Sequence, residues 1–293
     1  MSSATAWRED APGLSTSSAG RLGLGLGYAC LLLPTLYRLA QQSWILEIGA
    51  HGPIILATGG WLIWRKRSEL LPRTSNGSVL LAWLLLAPSL AAYVFGRTYG
   101  FLMLEAGGVY GAGAAILLAL AGTRALLRNW FPLLYLGFAV PPPTWIIDTL
   151  TLPLKQFVTH VSTGGLHAIG FPVAREGVTI FVAQYELLVE DACSGMHSIL
   201  GLEAITLLYV YLTHGASWRL SLLFAAIAVP VAVVANILRI VVLVLLTYYF
   251  GNAVAQGFLH QTAGILLFGT ALLLVFAIDQ GVAWLMRRAR APA

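Results

Sequence analysis

The chain has 293 residues, of which 58% are hydrophobic and only 10% charged, and its mean hydropathy is +0.81. A soluble domain would be roughly a quarter charged, and here the apolar excess runs along the whole chain, which describes an integral membrane protein and excludes a soluble domain on one anchor. The net charge of +5 does not point to nucleic acid, because the basic residues stand in short clusters at the ends of apolar runs, as topology determinants do.

Taken in chain order, residues 1–21 are polar and Ser-rich and read as a disordered cytoplasmic tail. Runs long enough to cross a bilayer follow at 22–39, 50–64, 79–95, 103–122, 130–147, 195–212, 220–249 and 259–285. The fifth ends in the rigid Pro141-Pro142-Pro143, and 287–293 form a basic tail. Arg65, Lys66, Arg67, Arg73, Arg124, Arg128, Arg219, Arg287, Arg288 and Arg290 fall on one side if both termini are cytoplasmic. The other side keeps Arg38, Arg97, Lys155 and Arg175, offset by several carboxylates.

Between the fifth and sixth spans, 148–170 has Leu and Val at helical spacing with a thin polar face. It predicts an amphipathic helix lying on or partly in the outer leaflet. The next stretch, FPVAREGVTIFVAQYELLVEDACSG, is rich in Val, Ile, Phe and Tyr and holds the turn-like Arg175-Glu176-Gly177, which predicts a strand pair. The expected fold is an all-α polytopic membrane protein of about eight transmembrane helices. A single transmembrane domain covers 22–286, with the small extracytoplasmic amphipathic helix and strand pair before the sixth span. No tandem repeat, metal-ligand spacing or nucleotide loop is visible, so no metal or cofactor is expected.

Two cysteines cannot make a disulfide framework. Cys30 lies within the apolar GYACLLLP and reads as packing. Cys193 stands where acidic, polar chain meets the sixth span, with Ser194 and Gly195 immediately after it. A thiol at the first turn of a helix faces unsatisfied N–H groups, which favour the thiolate and could donate to an oxyanion. Asn236 and Arg239 are spaced i, i+3 in the otherwise apolar seventh span, so they share a face. Arg239 lies about 28 Å along that helix from residue 220, toward the outer side. A buried intramembrane Arg is costly and marks a functional candidate. His260 opens the eighth span on the same side.

Cys193, Arg239 and His260 are thus expected at one depth, as nucleophile, cation and acid–base group. His197, four residues after Cys193, is a second choice as proton shuttle, and His160 and His167 are further imidazoles that could approach. Glu203 lies about two turns into the sixth span. It either orients Arg239, faces a water-filled cleft, or is a protonated Glu bonded to a nearby hydroxyl.

At these residues the sequence resembles the exosortase/archaeosortase family. It has a Cys in an ACSG block entering a membrane helix (Ala192 to Gly195), then N-x-x-R (Asn236 to Arg239), then a His opening the last span (His260). AHGPIILATGGWLIWRKR is similar to the family's early His-Gly block, and the likeness covers roughly residues 40–275. The resemblance implies a bacterial inner-membrane cysteine transpeptidase of exosortase type, possessing no cofactor. Its partners would be exported proteins with a C-terminal signal made of a Pro-Glu-Pro-type motif, a membrane helix and a basic tail. It implies Cys193, Arg239 and His260 as the catalytic set, facing the periplasm, with the lipid bilayer as surroundings and no nucleic acid. Asn236 and Glu203 would orient them, and His51 with Gly52 would line the substrate groove. The residues alone leave open a transporter or flippase, a non-enzymatic envelope-polysaccharide assembly protein, and a membrane acyltransferase.

Overall fold

A backbone in hydrocarbon has no water to bond, so long apolar runs satisfy their own N–H and C=O groups as helices. The computed structural model of the protein describes residues 18–45, 49–71, 77, 79–188, 198–256, 269–281 and 288. Contacts divide the chain into two compact units: the first holds residues up to 45 and 52–141, the second 46–51 and everything from 142 onward.

The first unit contains α1 (Ser18–Gln42), α2 (Gly52–Arg65), α3 (Arg67–Leu70), α4 (Val79–Tyr99), α5 (Leu102–Arg128) and α6 (Trp130–Gly137). α4 and α5 form a hairpin turned at Gly100, whose φ of +80° suits glycine. Their backbones nearly touch. A Cβ on Gly108 would lie 2.5 Å from the Ser89 carbonyl oxygen and 2.6 Å from the Tyr93 nitrogen. Small residues are what allow such an approach between membrane helices. Gly108→Ala is expected to force the helices apart and destabilise the unit by about 1–3 kcal/mol, the usual cost of overpacking. Gly107→Ala, whose Cβ would meet only Val140 at 3.9 Å, is the control, and thermal unfolding of both in detergent decides it.

One carboxylate ties three helices of this unit together. Glu105, in the first turn of α5, is fully buried. It accepts hydrogen bonds from Thr35 at 3.0 Å and pairs with Arg38, both on α1, and with Arg97 on α4 at 2.8 Å. At the far end of α5, Gly122 (φ +81°, ψ 168°) breaks the helix before the basic segment that ends at Arg128.

The second unit contains α7 (Thr144–Ala168), β1 (Val173–Glu176), β2 (Thr179–Val182), β3 (Tyr185–Leu188), α8 (Ser198–His214), α9 (Trp218–Phe250), α10 (Asn252–Gln256) and α11 (Gly269–Gly281). The strands make an antiparallel sheet in the order β1-β2-β3, with Glu176 opposite Thr179 and Val182 opposite Tyr185. Three strands form where the sequence predicted two. Gly177 (φ +59°) makes the first turn, which the sequence announces; the second is made by Ala183 at φ +51°, a residue that carries no turn signal.

The sheet's inner face, α7 and α9 share one core of Val158, Leu166, Ile180, Val182, Leu187, Ile240 and Val244. α7 and α9 run in the same direction. Ser162 of α7 donates to the Ile237 carbonyl of α9 at 3.5 Å, and Phe171, just past α7, packs edge-on to Tyr248 and Tyr249 near the end of α9. The sequence predicted this helix on or partly in the outer leaflet; in the structure one of its sides packs against α9 and the sheet. One polar stripe of α7 (Lys155, Thr159, Ser162, Thr163) is buried while Gln156, His160 and His167 are exposed, and Thr159 and Thr163 turn their hydroxyls back onto the Lys155 and Thr159 carbonyls. Lys155, expected among the outer charges, is 5% exposed.

Among the described residues four helices are long and apolar enough to cross a membrane: α1 (from Ala19), α4, α5 and α9; α8 and α11 are shorter apolar helices. The expected fifth span is interrupted: α6 stops at Gly137, and α7 begins only after Pro143, because a proline run cannot continue the helical ladder. At 33 residues α9 is about 50 Å long.

Candidate functional site

The site is built from α8 and α9, which pack side by side in opposite directions. Leu202 of α8 meets Ala235 of α9 and Ala271 of α11; farther along, Val210 meets Phe224 and Val275. Ser198, the first residue of α8, is four residues before Leu202, and Arg239 is four residues past Ala235. Each step is about 6 Å along its helix, in the same direction. Arg239 therefore stands level with Ser198, the first described residue of α8, and Cys193 is five residues earlier in the sequence.

Arg239 is 4% exposed, as is Asn236 one turn before it. Both fall on the stripe of α9 that continues from Ala235. A guanidinium stays charged wherever it is put, so a buried one favours an anion beside it. That end of the unit is chemically suited to hold a thiolate or the oxyanion of a tetrahedral adduct.

His51 also comes to this end. It belongs to the second unit, and its side chain lies over the first turn of α8: a Cβ on Gly201 would lie 3.6 Å from the His51 Cβ and 3.8 Å from its Cγ and Nδ1. A Cβ at the buried Gly201 would thus be in ordinary van der Waals contact with His51. Glu203 follows two residues later, half-buried on α8. Of the residues singled out in the sequence, Arg239, Asn236, Glu203 and His51 are thus brought to the same end of α8 and α9. Cys193, Ser194, Gly195, His197 and His260 lie outside the described residues. The other two imidazoles, His160 and His167, are exposed on α7.

Three polar groups escaped the sequence reading. Asp279 of α11 is buried and accepts a hydrogen bond from Tyr209 at 2.7 Å, while His214 Nε2 lies 2.9 Å from its other oxygen. This cluster closes the end of α8 opposite Arg239. The buried Lys155 and Glu105 are the other two. The signal in each case was a lone ionisable residue in an apolar run, which in a membrane protein demands a partner.

No curated protein and no solved structure matches the chain. A family profile does match, that of the transmembrane exosortase (Exosortase_EpsH), over residues 44–277. That stretch runs from just before His51 into α11 and contains the whole of the Arg239 site, and on it the chain belongs to the transmembrane exosortase family.

Proposed function

We propose that this protein is a membrane cysteine peptidase or transpeptidase that removes the C-terminal sorting signal from exported proteins at the outer face of the inner membrane. The observation that supports it best is the buried Arg239 guanidinium level with Ser198 of α8, which follows Cys193 by five residues in the sequence. Family membership supports the same reading.

In this mechanism the Cys193 thiolate attacks the scissile carbonyl and the electron pair moves to oxygen. Arg239 and the first N–H groups of α8 stabilise that oxyanion. The adduct collapses, the C–N bond breaks, and the leaving amine takes its proton from His260. A thioester remains. Water or an amine then attacks it, His260 accepts the attacker's proton, and the thiolate is released. Asn236 and Glu203 hold the guanidinium and the start of α8 in place, and His51, lying on Gly201, borders the groove that receives the substrate chain. A substrate helix with a basic tail on the cytoplasmic side would bring its motif to this end.

The test is co-expression with an exported protein that carries an N-terminal tag and the sorting signal. With this chain present the tagged protein is expected to lose its C-terminal helix and shorten accordingly on a gel. Full-length substrate at the same abundance with and without the chain would overturn the proposal and leave the transporter and assembly-protein readings.

A further inference from the structure

The first unit contains an apolar slot that has no part in the reaction above. It has a volume of about 460 Å³ and lies among α1, α5, α6 and the end of α2. Gly25 on α1 and Gly113 and Ala114 on α5 keep its walls low, and Leu117 and Leu120 continue them. The lining on α5 runs from Tyr110 to Leu120, about 15 Å at 1.5 Å per residue. Half of a 30 Å hydrocarbon core is also about 15 Å.

The slot has a narrow end and a charged end. Tyr28 and Tyr110 narrow the first of these ends. The Tyr28 hydroxyl reaches to 2.8 Å from where a Gly113 Cβ would stand, and the Tyr110 hydroxyl is fixed by donating to the Leu133 carbonyl at 2.8 Å. Among the described residues, both rings also line a separate, smaller space of about 80 Å³. At the other end Arg21 lines the mouth. The helices around it finish in cations: Arg65, Lys66 and Arg67 follow Ile63 at the end of α2, and Arg124 and Arg128 follow Leu120 on α5. Among the described residues of that end, Glu69 is the carboxylate set against them, and it already accepts from Lys66 and Asn129 and faces Arg128 at 3.6 Å.

We propose that this slot is a binding site for one acyl chain of an anionic phospholipid, taken from the leaflet at the basic end, with its phosphate at Arg21. The depth of one leaflet, the narrowing at the two tyrosines and the excess of positive charge at the mouth each match that ligand. A basic cluster beside a membrane helix attracts anionic headgroups at about a five-fold preference per cation.

The experiment uses the full-length protein in bilayer discs of equal palmitoyl-oleoyl phosphatidylglycerol and phosphatidylethanolamine, released for native mass spectrometry. One phosphatidylglycerol is expected to stay bound to the wild type. Ala114→Phe, which fills the slot, should lose that lipid. Arg21→Gln, at the rim, should keep a bound lipid while its preference for phosphatidylglycerol falls about five-fold; if Ala114→Phe does not fold, this variant decides alone. Millimolar inorganic phosphate should not compete, because the chain supplies the binding. An unchanged phosphatidylglycerol adduct in both variants, no adduct in the wild type, or displacement by free phosphate would each overturn the site.

Discussion

Cells carrying Cys193→Ala are expected to accumulate the tagged substrate at full length, with no residual shortening. Removing the sulfur removes the covalent route itself. Arg239→Ala should be nearly as severe, with a rate about 10²–10³ lower, the usual loss when a preorganised oxyanion donor is deleted. The two variants differ in a second readout. In Arg239→Ala the thiol remains, but it has lost a buried cation level with the start of α8. The pH dependence of its alkylation by a small iodoacetamide should therefore move to higher pH, because a nearby positive charge favours the thiolate. Arg239→Lys keeps the charge and loses the planar fork, so it should recover the alkylation profile better than the rate. Normal processing in Cys193→Ala would sink the proposed chemistry. An unmoved alkylation profile in Arg239→Ala would separate Arg239 from the cysteine even if the rate fell.

Glu105→Ala is expected to lower stability by about 3 kcal/mol, the low end for removing one partner of a buried ion pair. In a unit of this size that corresponds to a fall of roughly 6–12 °C in the detergent melting temperature. The physical cause is what remains behind. Arg38, with its side chain 19% exposed, would face apolar neighbours with its carboxylate gone, whereas Arg97, at 42%, can turn to solvent. The same difference ranks the partners: Arg38→Ala should cost more than Arg97→Ala, whose pair is closer to a surface ion pair. Equal, small losses for all three would show that the cluster does not hold α1, α4 and α5 together.

Much of this arrangement was legible in the sequence, for reasons that the structure makes specific. α9 announced itself because its apolar run is long and its two polar residues sit one turn apart on one face. The antiparallel neighbour follows from the short His214–Trp218 connection, and together these put Arg239 level with the start of α8. What was not legible depends on the partner across a contact. Nothing local says that the Lys155, Thr159, Ser162 and Thr163 stripe of α7 faces inward while Gln156 and His160 stay exposed, because an amphipathic helix reads equally as interfacial or as packed against another helix. Only the core shared with α9 and the sheet decides it. The third strand was hidden for a different reason: a positive φ at an alanine leaves no glycine to read. Glu105 shows the same limit for charge. Its need for cations was predictable, but Arg38 and Arg97 are 67 and 8 residues away.

The length of α9 has a consequence of its own. A rod of about 50 Å exceeds a 30 Å hydrocarbon layer by some 20 Å, so it must lean or protrude, and the balance shifts with the thickness of the surrounding lipid. Arg239 is fixed 11 residues, about 16 Å, below the helix tip at Phe250. A thicker membrane would draw the guanidinium deeper into oil and a thinner one would lift it toward water. Acyl-chain length in the host bilayer then becomes a setting for how far the charge at the heart of the protein sits from the aqueous boundary.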